Sequence, residues 1–106
     1  MKKKYRLKKN EDFAKIISRK ESRVNYSYIV YSAKPKSNPR IGISVSKKLG
    51  NAVVRNKIKR QVRMMVIIDK IYDVINKDII IIVRKEYLNK NFEENKKLLE
   101  SILKII

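Results

Sequence analysis

The sequence predicts a single α+β domain whose elements follow the order helix, strands, helix, strand, helix. Two observations carry this prediction: apolar residues recur at helical spacing in three separate segments, and β-branched residues cluster in short runs between them. A chain of 106 residues rarely divides into two independently stable parts, and neither an internal repeat nor a low-complexity linker interrupts it. We therefore expect residues 1–106 to form one domain.

A short helix is predicted first, after a basic lead-in. Asn10 is a candidate N-cap, and the two acidic residues that follow it would lie in the first turn, where the helix dipole favours negative charge. Phe13, Ile16 and Ile17 then form an apolar stripe at helical spacing. The helix should end near Arg19.

Two strands and a connecting loop should follow this helix. Residues 26–32 are rich in tyrosine and β-branched residues, and residues 41–45 are again typical of a strand. Both prolines of the chain lie between them, within residues 34–40, which predicts a loop there. The simplest interpretation is part of an antiparallel sheet.

The central helix is predicted over residues 52–68. Gly50 and Asn51 interrupt the preceding pattern, and Asn51 is a suitable N-cap for a helix whose first positions hold no acidic residue. Its apolar positions fall within about 80° of the helix circumference. They are Val54, Ile58, Val62 and Met65.

The last part of the chain predicts one strand and one helix. Residues 78–84 are apolar without alternation, which is typical of a strand buried on both faces and hence inside the sheet. From Asn91, with Glu94 three residues later as in a capping box, an apolar stripe at helical spacing continues to the end of the sequence. We expect a C-terminal helix there.

Positive charge is concentrated in one part of the chain. Lysine and arginine number 28 against 10 acidic residues, for a formal net charge of +18. The segment from Ser22 to Ile68 holds eleven of the basic residues and no acidic one. Such an excess favours a polyanionic partner, because a compact domain with this charge repels itself.

The sequence excludes several classes of chemistry and location. It has no cysteine and no histidine, which removes disulfides, thiolate nucleophiles, the common zinc sites and the usual general base. Its longest apolar runs are too short to span a bilayer, and its basic N-terminus lacks the apolar stretch of a signal peptide. We therefore expect a cytoplasmic protein.

The central helix carries basic residues opposite its apolar side. That arc consists of Arg55, Asn56, Lys59, Arg60 and Arg63. A merely solvated helix face normally includes Glu or Asp at i+4 spacing, and none is present. Nucleic acid is favoured over a merely soluble surface, because guanidinium groups bind phosphate oxygens bidentately. Composition alone does not separate RNA from DNA.

A long ordered block around this helix resembles a known family. Residues 40–63 read RIGISVSKKLGNAVVRNKIKRQVR, which resembles the signature of the bacterial ribonuclease P protein component. The resemblance extends to RLKKNEDF at residues 6–13, YIVYS at 28–32 and DIIIIVRK at 78–85. It covers most of the chain, and only the C-terminal helix matches by pattern alone.

This resemblance implies a fold and a function. The fold would be an α/β sandwich with about four strands, in the order α-β-β-(β)-α-β-α, and with a left-handed crossover between parallel strands against the usual preference. The chain would be the protein subunit of a ribozyme that removes the 5′ leader from precursor tRNA. The catalytic RNA and precursor tRNA would be its partners, Mg²⁺ would be bound mainly by the RNA subunit, and no protein partner would be required.

The resemblance also implies two RNA-binding surfaces. We name the first the basic helix surface; it comprises Lys47, Lys48, Asn51, Arg55, Asn56, Lys57, Lys59, Arg60 and Arg63. The second is a leader cleft for the single-stranded leader, formed by Phe13, Ile17, Ile29, Tyr31 and Arg84. Ile17 stands where many members have a second aromatic residue, and Tyr26 with Ser27 replaces a more basic stretch. Core packing alone would also explain Phe13 and Tyr31.

The polypeptide itself should carry no catalytic or metal-binding set. Its ten acidic residues are scattered along the chain, whereas a protein that hydrolyses phosphodiesters usually gathers carboxylates around metal ions. A ribosomal-type structural RNA-binding protein is the main alternative. A DNA-binding module is less favoured, since no helix-turn-helix or zinc-finger pattern is present, and a membrane-active basic peptide fits the predicted strands poorly.

Overall fold

The computed structural model describes residues 21–34, 39–68 and 76–106, which form a four-stranded mixed sheet and two helices. The strands are β1 Ser22–Val24, β2 Tyr28–Ala33, β3 Ile41–Val45 and β4 Asp78–Val83. The central helix spans Ala52–Ile68 and the C-terminal helix Phe92–Leu103, and short 3-10 turns occupy Lys47–Leu49 and Lys85–Asn89. The helix predicted between Asn10 and Arg19 lies outside the described residues.

The strands lie side by side in the order β1, β2, β4, β3. β4 pairs antiparallel with β2 and parallel with β3, so the prediction that this strand lies inside the sheet is confirmed. β2 and β3 run in opposite directions, but they are not neighbours, because β4 lies between them. Of the four consecutive isoleucines of β4, the first three, residues 79–81, have no exposed surface and require cover on both faces of the sheet.

The parallel pair β3 and β4 is connected through the central helix. The left-handedness that the family resemblance implies for this crossover stays a prediction. The sequence did not locate one of the four strands, β1, a three-residue edge strand that pairs antiparallel with β2.

The main core lies between the sheet and the two helices. Alternate residues of β2 point to opposite sides, so Tyr28 and Val30 enter this core whereas Ile29 and Tyr31 face away from it. On the central helix the predicted apolar side is confirmed: Ile58, Val62 and Met65 are buried, and Val54 packs against them half-buried. Each fully buried aliphatic side chain contributes about 1.5–3 kcal/mol of stability.

The C-terminal helix begins with the capping box that its sequence predicts. The Asn91 side chain accepts from the Glu94 backbone N–H at 2.9 Å, and the Glu94 carboxylate accepts from the Asn91 N–H at 3.2 Å. One turn later the fully buried Asn95 side chain accepts from the Ser27 hydroxyl at 2.6 Å and donates to the Tyr87 carbonyl at 3.0 Å. These hydrogen bonds fix the helix against the start of β2.

Candidate nucleic-acid interface

The segment after β3 presents two lysines to solvent. Ser46 ends the extended backbone, and its hydroxyl accepts from the Lys48 N–H at 3.3 Å. Leu49 is buried and anchors the turn, whereas the side chains of Lys47 and Lys48 are exposed. The turn therefore holds two cations at the carboxyl end of β3, an edge strand of the sheet.

Gly50 and Asn51 set the start of the central helix. Gly50 has a φ of 141°, and a Cβ atom there would lie 3.0 Å from the Cβ of Val54. Glycine is required because such a φ strains any other residue. The Asn51 side chain accepts from the Val54 N–H at 3.1 Å, so its predicted capping role is confirmed. That contact occupies the side-chain oxygen of a residue placed on the basic helix surface.

The remaining members of the basic helix surface divide into two groups by exposure. Asn56, Lys57 and Arg60 are exposed on the side of the helix that faces away from the core, which we call its outer pole. Arg55, Lys59 and Arg63 are half-buried along its flank. All these side chains project from one rigid helix. The structure therefore brings them together with the neighbouring Lys47–Leu49 turn, which we name the lysine turn.

The charge of this surface is not neutralised by neighbouring acids. Within the described parts of the chain, no salt bridge reaches any lysine or arginine of the basic helix surface. The Nε of Arg55 is buried without a hydrogen-bond partner. Arg40 differs, because it binds the buried carboxylate of Asp78 through its backbone N–H at 2.9 Å and its guanidinium at 3.4 Å.

The described part of the predicted leader cleft lies on the opposite face of the sheet. Ile29 and Tyr31 are half-buried and lie opposite Ile82 and Ile80 of β4, respectively. Tyr31 packs with Ala33, Ile80 and Ile82 in a small apolar cluster that is separate from the main core. Phe13 and Ile17, which were predicted to complete the cleft, lie outside the described residues.

Arg84 directly follows β4 and clamps the loop between β1 and β2. Its guanidinium donates to the carbonyl of Asn25 at 2.6 Å and to that of Tyr26 at 3.3 Å, and it lies 3.6 Å from the Glu86 carboxylate. These contacts give the residue a structural role at the end of the sheet. Its predicted contact with the leader stays a prediction.

Comparison with known proteins decides the family. A family model described as Ribonuclease P matches residues 1–106. The chain belongs to the ribonuclease P protein family. It is 48% identical to the ribonuclease P protein component of Listeria welshimeri over 109 residues, which cover 99% of this chain and 90% of that relative.

Solved structures of family members have the same fold. The ribonuclease P protein of Staphylococcus aureus matches with a TM-score of 0.86 and 44% identity over 95% of this chain and 94% of that chain. The protein from Thermotoga maritima matches with a TM-score of 0.83 and 33% identity over 95% of this chain and 96% of its own. The predicted family and α+β fold class are thus confirmed.

One basic residue near the lysine turn, Lys85, was not predicted from the sequence as part of the RNA-binding surface. β3 and β4 are parallel, so their carboxyl ends meet at the same edge, and the two 3-10 turns that follow them contact each other. Lys85 is exposed in the second turn, on the same end of the sheet as Lys47 and Lys48. The position of Lys85 beside the two lysines follows from the parallel pairing of β3 and β4. Residues close to Lys85 in the sequence do not indicate that pairing.

Two buried tyrosines, Tyr28 and Tyr87, contact side chains of the central helix. The Tyr87 hydroxyl donates to the Gln61 side chain of the central helix at 2.8 Å, and the Tyr28 hydroxyl donates to the Asn95 carbonyl at 3.0 Å. Burial raises the pKa of Tyr87 to about 12, and burial with the neighbouring Tyr87 raises the pKa of Tyr28 further. Both hydroxyls are therefore protonated donors at neutral pH, and they connect the two helices through the core.

The described residues provide no metal site of the usual kind. Across residues 21–34, 39–68 and 76–106, no three acidic side chains come together in a group that could hold a metal ion. Over the same ranges, no helix is both long enough and apolar enough to cross a membrane.

Proposed function

We propose that the chain is the protein subunit of ribonuclease P, which binds the catalytic RNA and the 5′ leader of precursor tRNA and so promotes removal of the leader. The observation that carries this proposal is the basic helix surface, unneutralised by any described acid, in a chain of the ribonuclease P protein family. Cationic side chains on a rigid helix gain affinity for phosphate by releasing counterions from the RNA.

The basic helix surface would bind the RNA subunit and the adjoining part of the precursor. Arg60, Lys57 and Asn56 are exposed at its pole, where an arginine fork can bind a phosphate and an amide can bind a sugar or base edge. Gly50 and the Asn51 cap fix the first turn of this helix. The backbone positions from which these side chains project are therefore fixed before binding, which lowers the entropy lost on binding.

The leader cleft would bind the extended leader on the other face of the sheet. Aromatic side chains stack on unpaired bases, and the apolar cluster around Tyr31 offers a surface for the faces of those bases. Binding of the leader and of the RNA subunit would reinforce each other, because a substrate that contacts both members of a complex couples their affinities.

Magnesium would be held by the RNA and not by this chain. Among the described acids, Asp78 pairs with Arg40, Glu94 closes the capping box, and Glu100 lies 2.7 Å from Lys96. No three described acidic side chains form a group that could hold a metal ion. The described side chains therefore do not fit a protein-held magnesium site, and we assign the protein no step of the hydrolysis. The complex would act in the cytoplasm.

Reconstitution tests the proposal directly. Precursor tRNA carrying a labelled 5′ leader is incubated with the catalytic RNA at low Mg²⁺, with and without the chain. We expect leader removal only when both are present, because the protein lowers the repulsion among phosphates that otherwise requires more Mg²⁺. Lack of stimulation at any protein concentration would refute the role. Cleavage by the protein without RNA would refute the division of labour.

A ribosomal-type RNA-binding protein would behave differently in a competition assay. The chain is bound to labelled precursor tRNA and challenged with ribosomal RNA, duplex DNA or tRNA that lacks a leader. We expect precursor tRNA with its leader to compete best. Preference for ribosomal RNA, with no effect on 5′ maturation, would favour the structural role instead.

A further inference from the structure

Tyr26, in the loop between β1 and β2, has an exposed aromatic ring held in a fixed orientation. Its hydroxyl accepts from the Asn89 side-chain amide at 3.2 Å, and the Lys90 ammonium lies 4.9 Å from the ring centroid. The residue is nevertheless 42% exposed. We name Tyr26, Asn89 and Lys90 the tyrosine platform.

The backbone and the cation of the platform are themselves held in place. The carbonyl of Tyr26 accepts from Arg84, and the Lys90 ammonium lies 3.8 Å from the Glu94 carboxylate at the start of the C-terminal helix. Ring, hydroxyl and cation are thus positioned by three different elements. An exposed aromatic ring that is already oriented loses little side-chain entropy when a flat ligand stacks on it.

The surroundings of the platform suit a nucleotide. A shallow pocket of about 170 Å³ shares Asn89 with the platform and is also lined by Lys85, Glu86 and Leu88. Leu88 is half exposed and offers apolar surface, and Lys85 offers a cation for a phosphate. An aromatic face beside apolar surface and a cation is the combination that proteins use to bind single-stranded nucleic acid.

We propose that the tyrosine platform stacks an unpaired base of single-stranded RNA at the end of the predicted leader cleft. The choice of RNA rests on the proposed function. Tyr26 precedes β2, the strand that carries Ile29 and Tyr31, and five residues of extended chain span about 16 Å. A leader that follows β2 across the sheet reaches Tyr26 at the end near the lysine turn. The platform therefore extends the cleft by one stacking site.

A tryptophan reporter tests stacking at this ring. The chain contains no tryptophan, so Tyr26→Trp introduces the sole indole, and its emission is followed while an oligouridylate of about ten nucleotides is added at low salt. We expect emission to fall and to saturate, because a stacked base quenches indole fluorescence. Ile105→Trp is the matched control, since Ile105 is 60% exposed and lies at the opposite end of the sheet.

A polyphosphate of equal charge separates stacking from electrostatic attraction. It carries no bases, so we expect it to leave the emission of the Tyr26→Trp variant unchanged. Equal quenching by polyphosphate, or equal quenching of the Ile105→Trp variant by the oligouridylate, would overturn the proposal. So would the absence of quenching at Tyr26→Trp under conditions where the oligouridylate binds that variant.

Precursor tRNA then shows whether the platform acts on the leader. Tyr26→Ala should weaken binding of the precursor about five- to 150-fold and leave binding of leaderless tRNA unchanged, because one stacked base is lost. Tyr26→Phe keeps the ring and should remain within about threefold of the original chain. Unchanged leader binding in Tyr26→Ala, with normal stimulation of cleavage by the original chain, would refute this inference alone. Failure of the original chain to stimulate would refute the proposed function.

Discussion

Arg60→Ala offers a quantitative test of the basic helix surface. Arg60 is exposed at the outer pole of the central helix, and no described residue forms a salt bridge with it. Its replacement therefore breaks no ion pair within the described protein and should change the free energy of unfolding by less than about 0.5 kcal/mol. A change in RNA affinity then reports on a lost contact with RNA.

The expected magnitude follows from counterion release. Each phosphate neutralised on a duplex adds about 0.9 to the slope of log affinity against log salt, and each on a single strand about 0.7. Loss of one contact should lower the slope by that amount. Raising salt from about 50 to about 200 mM should therefore shrink the difference between the original chain and the variant about threefold.

The assay measures binding to the catalytic RNA at several salt concentrations. Lys97→Ala is the matched control, because Lys97 is an exposed cation on the C-terminal helix, outside the basic helix surface. We expect it to keep the original slope. A slope that Arg60→Ala leaves unchanged, or that both variants lower equally, would contradict a local phosphate contact at Arg60.

Three further predictions concern the scaffold. Gly50→Ala should lower the free energy of unfolding by about 1–3 kcal/mol in urea titration, because its φ of 141° strains a residue that has a Cβ. Asn95→Ala should cost about 1–3 kcal/mol in the same assay, since it leaves the buried Ser27 hydroxyl without its acceptor, whereas the Tyr87 carbonyl keeps the Lys90 N–H as a donor. Raising the pH from about 10 towards 12 should lower the stability of the fold, because the buried tyrosines have a lower pKa in the unfolded chain than in the folded one. Tyr87→Phe should reduce this loss of stability, which is measured by thermal melts across the same pH range.

Local signals in the sequence determined most element boundaries. The central helix and β3 begin and end where their patterns predict, and the Asn51 and Asn91 caps are both formed. These features depend on residues within a few positions of each other. The continuous apolar run of β4 predicted its interior position, but local signals did not give its two neighbours, because the insertion of β4 between β2 and β3 depends on contacts between segments distant in sequence.

The candidate site was predictable to a similar extent. Charge and helical spacing place Arg60 and Asn56 on one surface, as the structure has them. The clamp formed by Arg84 was not predictable, because its partners are backbone carbonyls in a loop 58 and 59 residues earlier. The orientation of Tyr26 likewise depends on Asn89, which lies 63 residues away.

The strand at the middle of the sheet is the last of the four along the chain. β2 and β3 do not pair with each other, and each forms hydrogen bonds with β4 instead. Neither strand can therefore form these bonds until β4, residues 78–83, has left the ribosome. Until then the central helix can pack against β3, but the sheet lacks the inner strand that joins β3 to β2. Assembly of this domain thus waits for contacts of long sequence separation, which slow folding and prolong exposure of apolar surface. The order of synthesis makes β4 the element that closes the fold.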